Sequence, residues 1–260
     1  IGTSFLASQY SNWLTKRSQS ITNSKPVWAD IQTELSKSLM SQINTIARQV
    51  PPTPIEPQQM KFLVYEAITG GARGLRFKSR SRLDGADPST RIRALTIQWI
   101  NSEIKRLEPW VVAGALMGQL PTDDPELEVN VIATNRSRLL LIQRPTHHEQ
   151  YLAGDQTPKT ISFQDVDSPF TDNAYLIGQT GLQSLANVRG INGTEIKIDN
   201  CPYVAAVVLT QDPLVVNRLT GSFERVSKQS ILQMHFELTK QWLAIQQLIG
   251  GKNRLDEAAL

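Results

Sequence analysis

The stretch of sequence that most constrains the fold is residues 25–34. Side chains of a β-strand alternate between its two faces, and here small or β-branched residues occupy one face while large and polar residues occupy the other. The polar face contains Trp28, Asp30, Gln32 and Glu34. Such a strand fits an open antiparallel sheet with one face in water, or a (β/α)8 barrel whose polar face points into the lumen.

A helix pattern follows this strand. Residues 51–57 are rich in proline, and the apolar residues within 58–69 repeat at the three-to-four spacing of an amphipathic helix. Gly70 and Gly71 end the pattern, because glycine readily adopts the conformation in which helices stop. The sequence therefore predicts a proline-rich loop and then a helix after the first strand.

A second strand is predicted at residues 72–80. Its polar face is basic and contains Arg76, Lys78 and Arg80. Strand, loop, helix and strand make a βαβ unit, in which the two strands run parallel. With both polar faces in one lumen, Asp30 and Glu34 would lie beside the first two of these cations, and their charges would compensate. The pattern therefore favours the barrel.

Two further helices are predicted around this unit. Residues 4–21 carry an apolar stripe and precede the first strand, as a barrel helix should. Residues 91–107 carry a wider apolar face and follow a loop whose last residues favour helix capping. We predict that Pro109 ends this second helix, because proline lacks the backbone N–H that a helix needs.

The hydrophobic period changes from helical to two at about residue 126. Strands are predicted at residues 127–134, 138–143, 160–163, 174–177, 195–198 and 203–210. Asn192 and Gly193 are typical of a hairpin turn. Since no long helix interrupts this run, we predict an antiparallel β-sandwich, followed by a helix at residues 227–249.

Composition narrows the class of function. Of the 260 residues, 40 % are hydrophobic and 20 % are charged, as in soluble globular proteins. The formal charge is +3 and the basic residues are scattered, which gives little reason to expect nucleic acid as a partner. The longest apolar runs fall short of the roughly 20 residues that a membrane helix needs, so no membrane span is expected.

Metal and disulfide chemistry have little support in the sequence. Cys201 is the single cysteine, which excludes an internal disulfide, and we expect it to be buried as a small hydrophobic residue. His147 and His148 are adjacent, and neighbouring side chains of an extended segment point in opposite directions, so they do not make a chelating pair. We predict no metal site and no cofactor.

The chain begins at Ile1 without an initiator methionine or a signal sequence. We therefore expect a segment of a longer protein or a processed product. The compartment stays open, and the location that we favour is the extracellular space or periplasm, for a secreted bacterial protein.

Three phrases in the first half of the chain, residues 28–34, 65–77 and 93–110, resemble the end of a TIM-barrel glycoside hydrolase. The resemblance is to the broad clan of retaining glycosidases that includes β-galactosidase-like enzymes. The fold class that follows is α/β plus all-β. It consists of the last βα units of a (β/α)8 barrel in residues 1–120, an antiparallel β-sandwich in 121–226, and a C-terminal helix and tail in 227–260.

The same resemblance implies a site. It makes the two strands the seventh and eighth of the barrel, and Glu34 falls where the clan keeps its nucleophile. The implied substrate-binding residues are Gln32, Arg76, Lys78 and Arg80. The clan's general acid comes from an earlier strand, so the implied partners are a carbohydrate and further N-terminal barrel units of the same protein.

The role of Glu34 stays open between catalysis, a structural ion pair and ligand binding. Retaining hydrolysis needs two carboxyl groups about 5 Å apart, and Glu34 could supply one of them. It could instead be a salt-bridge partner that fills a degenerate, non-catalytic barrel, which would bind a glycan or a partner protein. Trp28, Asp30 and Gln32 lie deeper on the strand, where we expect them to pack inside the barrel.

Overall fold

The computed structural model describes residues 7–20, 26–46, 55–122, 124, 126–144, 159–165, 173–190, 193–225, 234 and 237–241. The helices are α1 (Ala7–Ser20), α2 (Lys37–Ile46), α3 (Pro57–Thr69), α4 (Pro88–Ala113) and α5 (Pro213–Arg225). The strands are β1 (Trp28–Gln32), β2 (Gly74–Lys78), β3 (Ala115–Leu120), β4 (Glu128–Ala133), β5 (Arg138–Gln143), β6 (Lys159–Asp165), β7 (Asn173–Ile177), β8 (Leu182–Ser184), β9 (Asn187–Gly190), β10 (Gly193–Cys201) and β11 (Val204–Thr210).

The predicted βαβ unit is confirmed. Strands β1 and β2 are parallel, and α3 connects them, with Pro57 in its first turn. The helix ends at Gly70 and Gly71 as predicted, and Gly71 has a φ of +92°. Few residues other than glycine adopt that backbone conformation, so the chain turns back toward the sheet at this position.

The two faces of β1 differ as the alternation predicts. Ala29 and Ile31 are buried in the core beneath the helices, whereas the opposite face is exposed. Trp28, Asp30 and Gln32 were expected to pack inside a barrel, but Trp28 is 66 % exposed and the other two are exposed as well. Within the described residues this face is uncovered, because β1 and β2 form a sheet of only two strands, so packing inside a barrel stays a prediction.

Two antiparallel sheets follow this unit. The larger has six strands in the order β3, β4, β5, β11, β7, β8, and the smaller has three in the order β6, β10, β9. Every predicted strand in this region is present, and the pairing of β9 with β10 agrees with the predicted hairpin. Strands β3, β8 and β9 were not predicted, since they are short or carry no clear alternation.

The central strands β5 and β11 of the six-stranded sheet are buried on both faces. Leu139 and Leu141 pack in a hydrophobic cluster with α3, α4 and α5. Leu140 and Ile142, which alternate with them on β5, pack in a second cluster with strands of the smaller sheet. A strand that is covered on both sides reads as a nearly continuous apolar run, which explains the sequence of β5. The chain therefore forms a helical layer, a large sheet and a small sheet.

The end of α4 differs from the prediction. The helix runs through Pro109 to Ala113 instead of stopping near residue 107. Proline inside a helix costs about 3 kcal/mol. Leu107 and Trp110 on both sides of it are fully buried, and the Trp110 indole Nε1 donates a hydrogen bond of 2.9 Å to Ser137 Oγ. Burial of these large side chains outweighs the cost of the proline.

Helices α2 and α5 were not predicted. Residues Val215, Val216 and Gly221 give α5 a low intrinsic helix propensity, but Leu219 and Phe223, one turn apart, are buried in the core. Tertiary packing therefore holds a helix that the local sequence does not favour. Of the predicted helix at 227–249, residues 234 and 237–241 are described and helical, and the rest lies outside the described residues.

The pairing at one edge of the large sheet is irregular. Edge strand β3 is mostly exposed, and its register with β4 shifts between Leu116 and Gly118, where Gly118 has a φ of +109°. This is a β-bulge at a glycine.

Among the helices that the structure describes, none is long and apolar enough to cross a membrane.

Gly114 joins α4 to β3, and we predict that Gly114→Ala destabilises the chain by about 2 kcal/mol or more. An added Cβ would collide with the carbonyl oxygen of Trp110 and lie 2.5 Å from Ile132 Cγ2, and backbone cannot easily move away. Urea unfolding followed by circular dichroism measures the change. The matched control is Gly221→Ala in α5, where a Cβ meets open space. There, alanine should raise stability by about 0.5 to 1 kcal/mol.

A buried carboxyl group lies between α3 and β5. Glu66 is 1 % exposed, and Gln143 Nε2 donates a hydrogen bond of 2.9 Å to its Oε1. Burial, and then the nearby charge of Glu128, raises the pKa of Glu66 to about 8, against weaker opposing hydrogen bonds from Ser11 and Gln143. Glu66 is therefore protonated in the folded chain at neutral pH.

Stability should therefore fall as the pH rises from about 4.5 to 8, and Glu66→Gln should remove this part of the pH dependence. In that window the folded chain holds a proton on Glu66 that the unfolded chain has lost, since the ordinary pKa is 4.5. The full effect is at most about 5 kcal/mol. Denaturant unfolding at a series of pH values measures it. Glu108→Gln, at an exposed position, is the control and should leave the profile unchanged.

Candidate functional site

The candidate site lies where β1 and β2 end. Glu34 comes two residues after β1, and the loop that follows β2 folds over its carboxylate. The backbone N–H of Ser81 donates to Oε1 at 3.2 Å and that of Arg80 donates to Oε2 at 3.3 Å. Arg93 Nη1 makes an ion pair with Oε1, and the Ser81 hydroxyl donates to the same oxygen. The carboxylate is 16 % exposed.

Arg93 connects this carboxylate to α4. Its side chain is 4 % exposed, with Nη1 donating to Ser81 Oγ at 2.6 Å and Nη2 donating to the Arg82 carbonyl at 3.0 Å. Burial lowers the pKa of Arg93 from its ordinary value, although arginine stays protonated. Strand end, loop and helix are therefore joined through one buried guanidinium group.

The donors around Glu34 limit what it can do. A carboxylate has about four lone-pair positions, and hydrogen bonds from N–H donors stabilise its ionised form. Here Oε1 accepts from Arg93 and Ser81, with Ser79 Oγ at 3.5 Å, and Oε2 accepts from the Arg80 backbone, with Arg80 Nε at 3.5 Å. An ionised carboxylate so held is fixed in position, whether it acts as a nucleophile or as an anchor.

A second ion pair lies on the exposed face of β1, at Asp30, four residues before Glu34. Arg76 pairs with Asp30 through two hydrogen bonds of 2.6 Å, as its position opposite Asp30 in the register allows. The hydrogen bond from Arg76 is the largest cause that lowers the pKa of Asp30 below its ordinary value. Lys78 lies opposite Gln32 in the register, and the Gln32 amide donates to the Glu34 carbonyl.

The predicted charge compensation is therefore partly confirmed. Asp30 lies beside Arg76 as expected, but Glu34 pairs with Arg93 and Arg80 and not with Arg76 or Lys78. The reason is its place in the chain: Glu34 lies beyond the paired part of β1, where the loop after β2 folds back over it.

Arg93, Ser79 and Ser81 were not identified as site residues from the sequence. One signal could have shown Arg93. It lies on the same face of α4 as Thr96, Ile97 and Ile100, at positions i, i+3, i+4 and i+7. A cation on a buried face requires a carboxylate or carbonyl partner, since an unpaired buried charge is costly.

The structure offers no metal centre within the described ranges, where no group of three or more His, Cys, Asp or Glu side chains could hold an ion. His147 and His148 lie outside the described residues. Cys201 is buried as predicted, and burial raises the pKa of its thiol to about 11.

No protein-family model matches the chain, and comparison with curated proteins gives no match. Solved structures that it resembles include glycoside hydrolases. They include an α-fucosidase from Thermotoga maritima in complex with a mechanism-based inhibitor (10 % identity, TM-score 0.45), an α-amylase from Geobacillus thermoleovorans complexed with acarbose (9 %, 0.47) and a GH30 endoxylanase from Clostridium papyrosolvens (10 %, 0.43).

These matches cover 74 %, 78 % and 82 % of this chain but 41 %, 43 % and 47 % of the respective enzymes. The chain thus spans less than half the length of each. At such scores and identities the similarity carries no weight for the chemistry of this chain, which has to be argued from its own residues.

We predict that the Arg93–Glu34 pair is strongly coupled. Arg93→Met alone should cost about 3 kcal/mol, because it leaves a largely buried carboxylate without its cation. The double variant with Glu34→Gln should cost at least about 1 kcal/mol less than the sum of the single variants. Denaturant unfolding of the four proteins measures the coupling.

The control is Arg91→Met, two residues earlier on α4 at an exposed position. It should change stability by no more than about 0.5 kcal/mol. Additive losses in the Arg93 and Glu34 variants would show that the pair does not hold the loop against the helix.

Proposed function

We propose that this chain belongs to a carbohydrate-active, glycoside hydrolase-like protein. The observation that carries the proposal is the parallel β1–β2 pair with an exposed polar face and a carboxylate fixed at the strand ends. Polar strand faces that lead to a carboxylate at the carboxyl ends of parallel strands are the arrangement in which (β/α)8 enzymes place their chemistry.

The two-stranded sheet supports an incomplete barrel. Parallel sheets are normally covered on both faces, and an isolated pair of strands is marginal in water. Within the described residues β1 and β2 pair only with each other, and their polar face is open. We propose that residues 1–120 are the last units of a (β/α)8 barrel, that further strands of the same protein complete it, and that residues 121–226 and 227–260 are the β-sandwich and C-terminal helix that follow.

In this proposal Glu34 is the nucleophile of a retaining glycosidase. Its side chain lies at the strand end, accepts hydrogen bonds from two backbone N–H groups and is 16 % exposed. The general acid would come from one of the other strands, about 5 Å away. Gln32, Arg76, Lys78 and Arg80 would contact the sugar.

A second candidate function is supported by the same donors. Both oxygens of Glu34 are already engaged, and Arg93 ties them to a buried position on α4. A carboxylate that is occupied in this way suits an anchor as well as it suits a nucleophile. In that case the protein is non-catalytic, and the polar face binds a glycan or a partner protein.

The test is covalent labelling of the full-length gene product with a panel of activated 2-deoxy-2-fluoro glycosides. Such compounds trap the glycosyl-enzyme because the second step is slow, and peptide mass spectrometry locates the label. We expect the label on Glu34, and a loss of turnover in Glu34→Gln of at least about a thousandfold. Glu108→Gln, at an exposed position of α4, should remain fully active.

The anchor alternative gives a different result. It predicts no label, no turnover, and a glycan affinity that Glu34→Gln changes by less than about threefold. A label on another carboxylate, or full activity in Glu34→Gln, would contradict the nucleophile assignment. Labelling of the natural protein decides the question even if Glu34→Gln folds poorly.

A further inference from the structure

Four cations alternate with other residues immediately around the end of β2. We call Arg76, Lys78, Arg80 and Arg82 the basic strip. Alternate residues of a strand share a face, so Arg76 and Lys78 lie on the polar face of β2, and Arg80 and Arg82 follow in the loop beyond it. All four side chains are exposed, up to 87 % for Arg82. Whereas basic residues elsewhere in the chain are scattered, here they are concentrated.

The carboxylates nearby do not neutralise the strip. Asp30 pairs with Arg76 and Asp84 pairs with Arg82, each at 2.6 Å, while Glu34 is shared by Arg80 and the buried Arg93. Among the described residues, Lys78 makes no ion pair within 4 Å, although its charge adds to that of Arg76 in lowering the pKa of Asp30. The basic strip and Arg93 together carry five positive charges. The three carboxylates Asp30, Glu34 and Asp84 carry three negative charges, which leaves an excess of two positive charges at the strand ends. The whole chain carries only +3.

The other groups on this face suit a sugar. Lys78 lies opposite the exposed amide of Gln32, which can both donate and accept hydrogen bonds. Trp28, farther along the same face, is 66 % exposed and offers a flat apolar surface next to the polar groups. Guanidinium and ammonium groups bind carboxylate and sulfate oxygens through charge-assisted hydrogen bonds.

We propose that the ligand of this face is an anionic glycan, a polysaccharide bearing carboxylate or sulfate groups, and that Lys78 is its principal charge contact. The inference rests on the proposed function and adds the substrate class to it. A neutral glycan would leave the excess charge and the Lys78 ammonium unused, whereas an acidic substituent would pair with both. Nucleic acid is less favoured, because only one exposed aromatic side chain on β1 and β2 is available for stacking bases.

Equilibrium binding to the full-length protein tests this proposal. The probes are an oligogalacturonate for carboxylate, a sulfated oligosaccharide for sulfate, a neutral xylo-oligosaccharide and cello-oligosaccharide of equal length, and a single-stranded oligonucleotide. We expect at least one acidic probe to bind about tenfold tighter than the neutral ones, and to weaken between about 20 and 200 mM salt. The better of the two acidic arms identifies the substituent.

Two charge variants locate the contact. Lys78→Gln should weaken the acidic probe about five- to tenfold and weaken neutral probes by no more than about twofold, and Arg82→Gln should have a smaller effect on the acidic probe, since Arg82 already pairs with Asp84. Lys197→Gln removes the same charge from β10, where the side chain is 59 % exposed, and should have no effect. Lys78 is exposed, so thermal unfolding should be the same for the variant and the natural protein.

Each contrary result has its own meaning. Equal affinity for acidic and neutral glycans, or an acidic affinity that Lys78→Gln does not change, overturns the anionic-glycan inference while the proposed function stands. Tighter binding of the oligonucleotide overturns it as well. Binding of no glycan, together with no covalent label, overturns both the inference and the proposed function.

Discussion

The structure depends on one constraint, which is that the central strands of the six-stranded sheet are covered on both faces. One face of β5 and β11 packs on helices and the other on the smaller sheet, so these strands can lie only between two apolar layers. This double burial fixes α3 and α4 on one side of the sheet. Because the ends of these two helices flank β2, the sheet also positions the loop that folds over Glu34.

Arg93 links helix α4 to the candidate site, because its side chain contacts both Glu34 and the loop after β2. The helix that carries it is anchored at its far end by Trp110, whose indole reaches Ser137 in the turn between β4 and β5. At its near end the Asp87 carboxylate caps the helix by accepting a hydrogen bond of 2.9 Å from the Thr90 backbone. The guanidinium group of Arg93 is therefore held at a fixed place, where it pairs with the carboxylate of Glu34.

Much of the fold could be predicted from the sequence where a local pattern and the tertiary environment agree. The βαβ unit and strand β5 are examples, because their apolar residues alternate as their burial requires. Where tertiary packing overrides local preference, prediction failed. Pro109 did not end α4 because Trp110 is buried, and α5 forms despite Gly221 because Leu219 and Phe223 are in the core.

The candidate site was predictable to the same extent. Alternation put the acidic face of β1 and the basic face of β2 on the same side of the pair, but the register that sets Asp30 opposite Arg76 came only from the structure. The partner of Glu34 lies almost sixty residues away on a helix, and no local pattern pairs the two. Only the mismatch of a cation on an apolar helix face pointed to Arg93, and that mismatch does not say which carboxylate it meets.

The bulge at Gly118 has a consequence for how molecules of this protein meet each other. Strand β3 is the edge of the largest sheet, with Leu116 and Met117 exposed, and a flat edge of this kind would let a second molecule add its own strand and begin an aggregate. The extra residue at the bulge interrupts the regular spacing of free N–H and carbonyl groups in the middle of the strand. An incoming strand would lose its hydrogen bonds there, so the bulge keeps the edge of the sheet from acting as a template for aggregation.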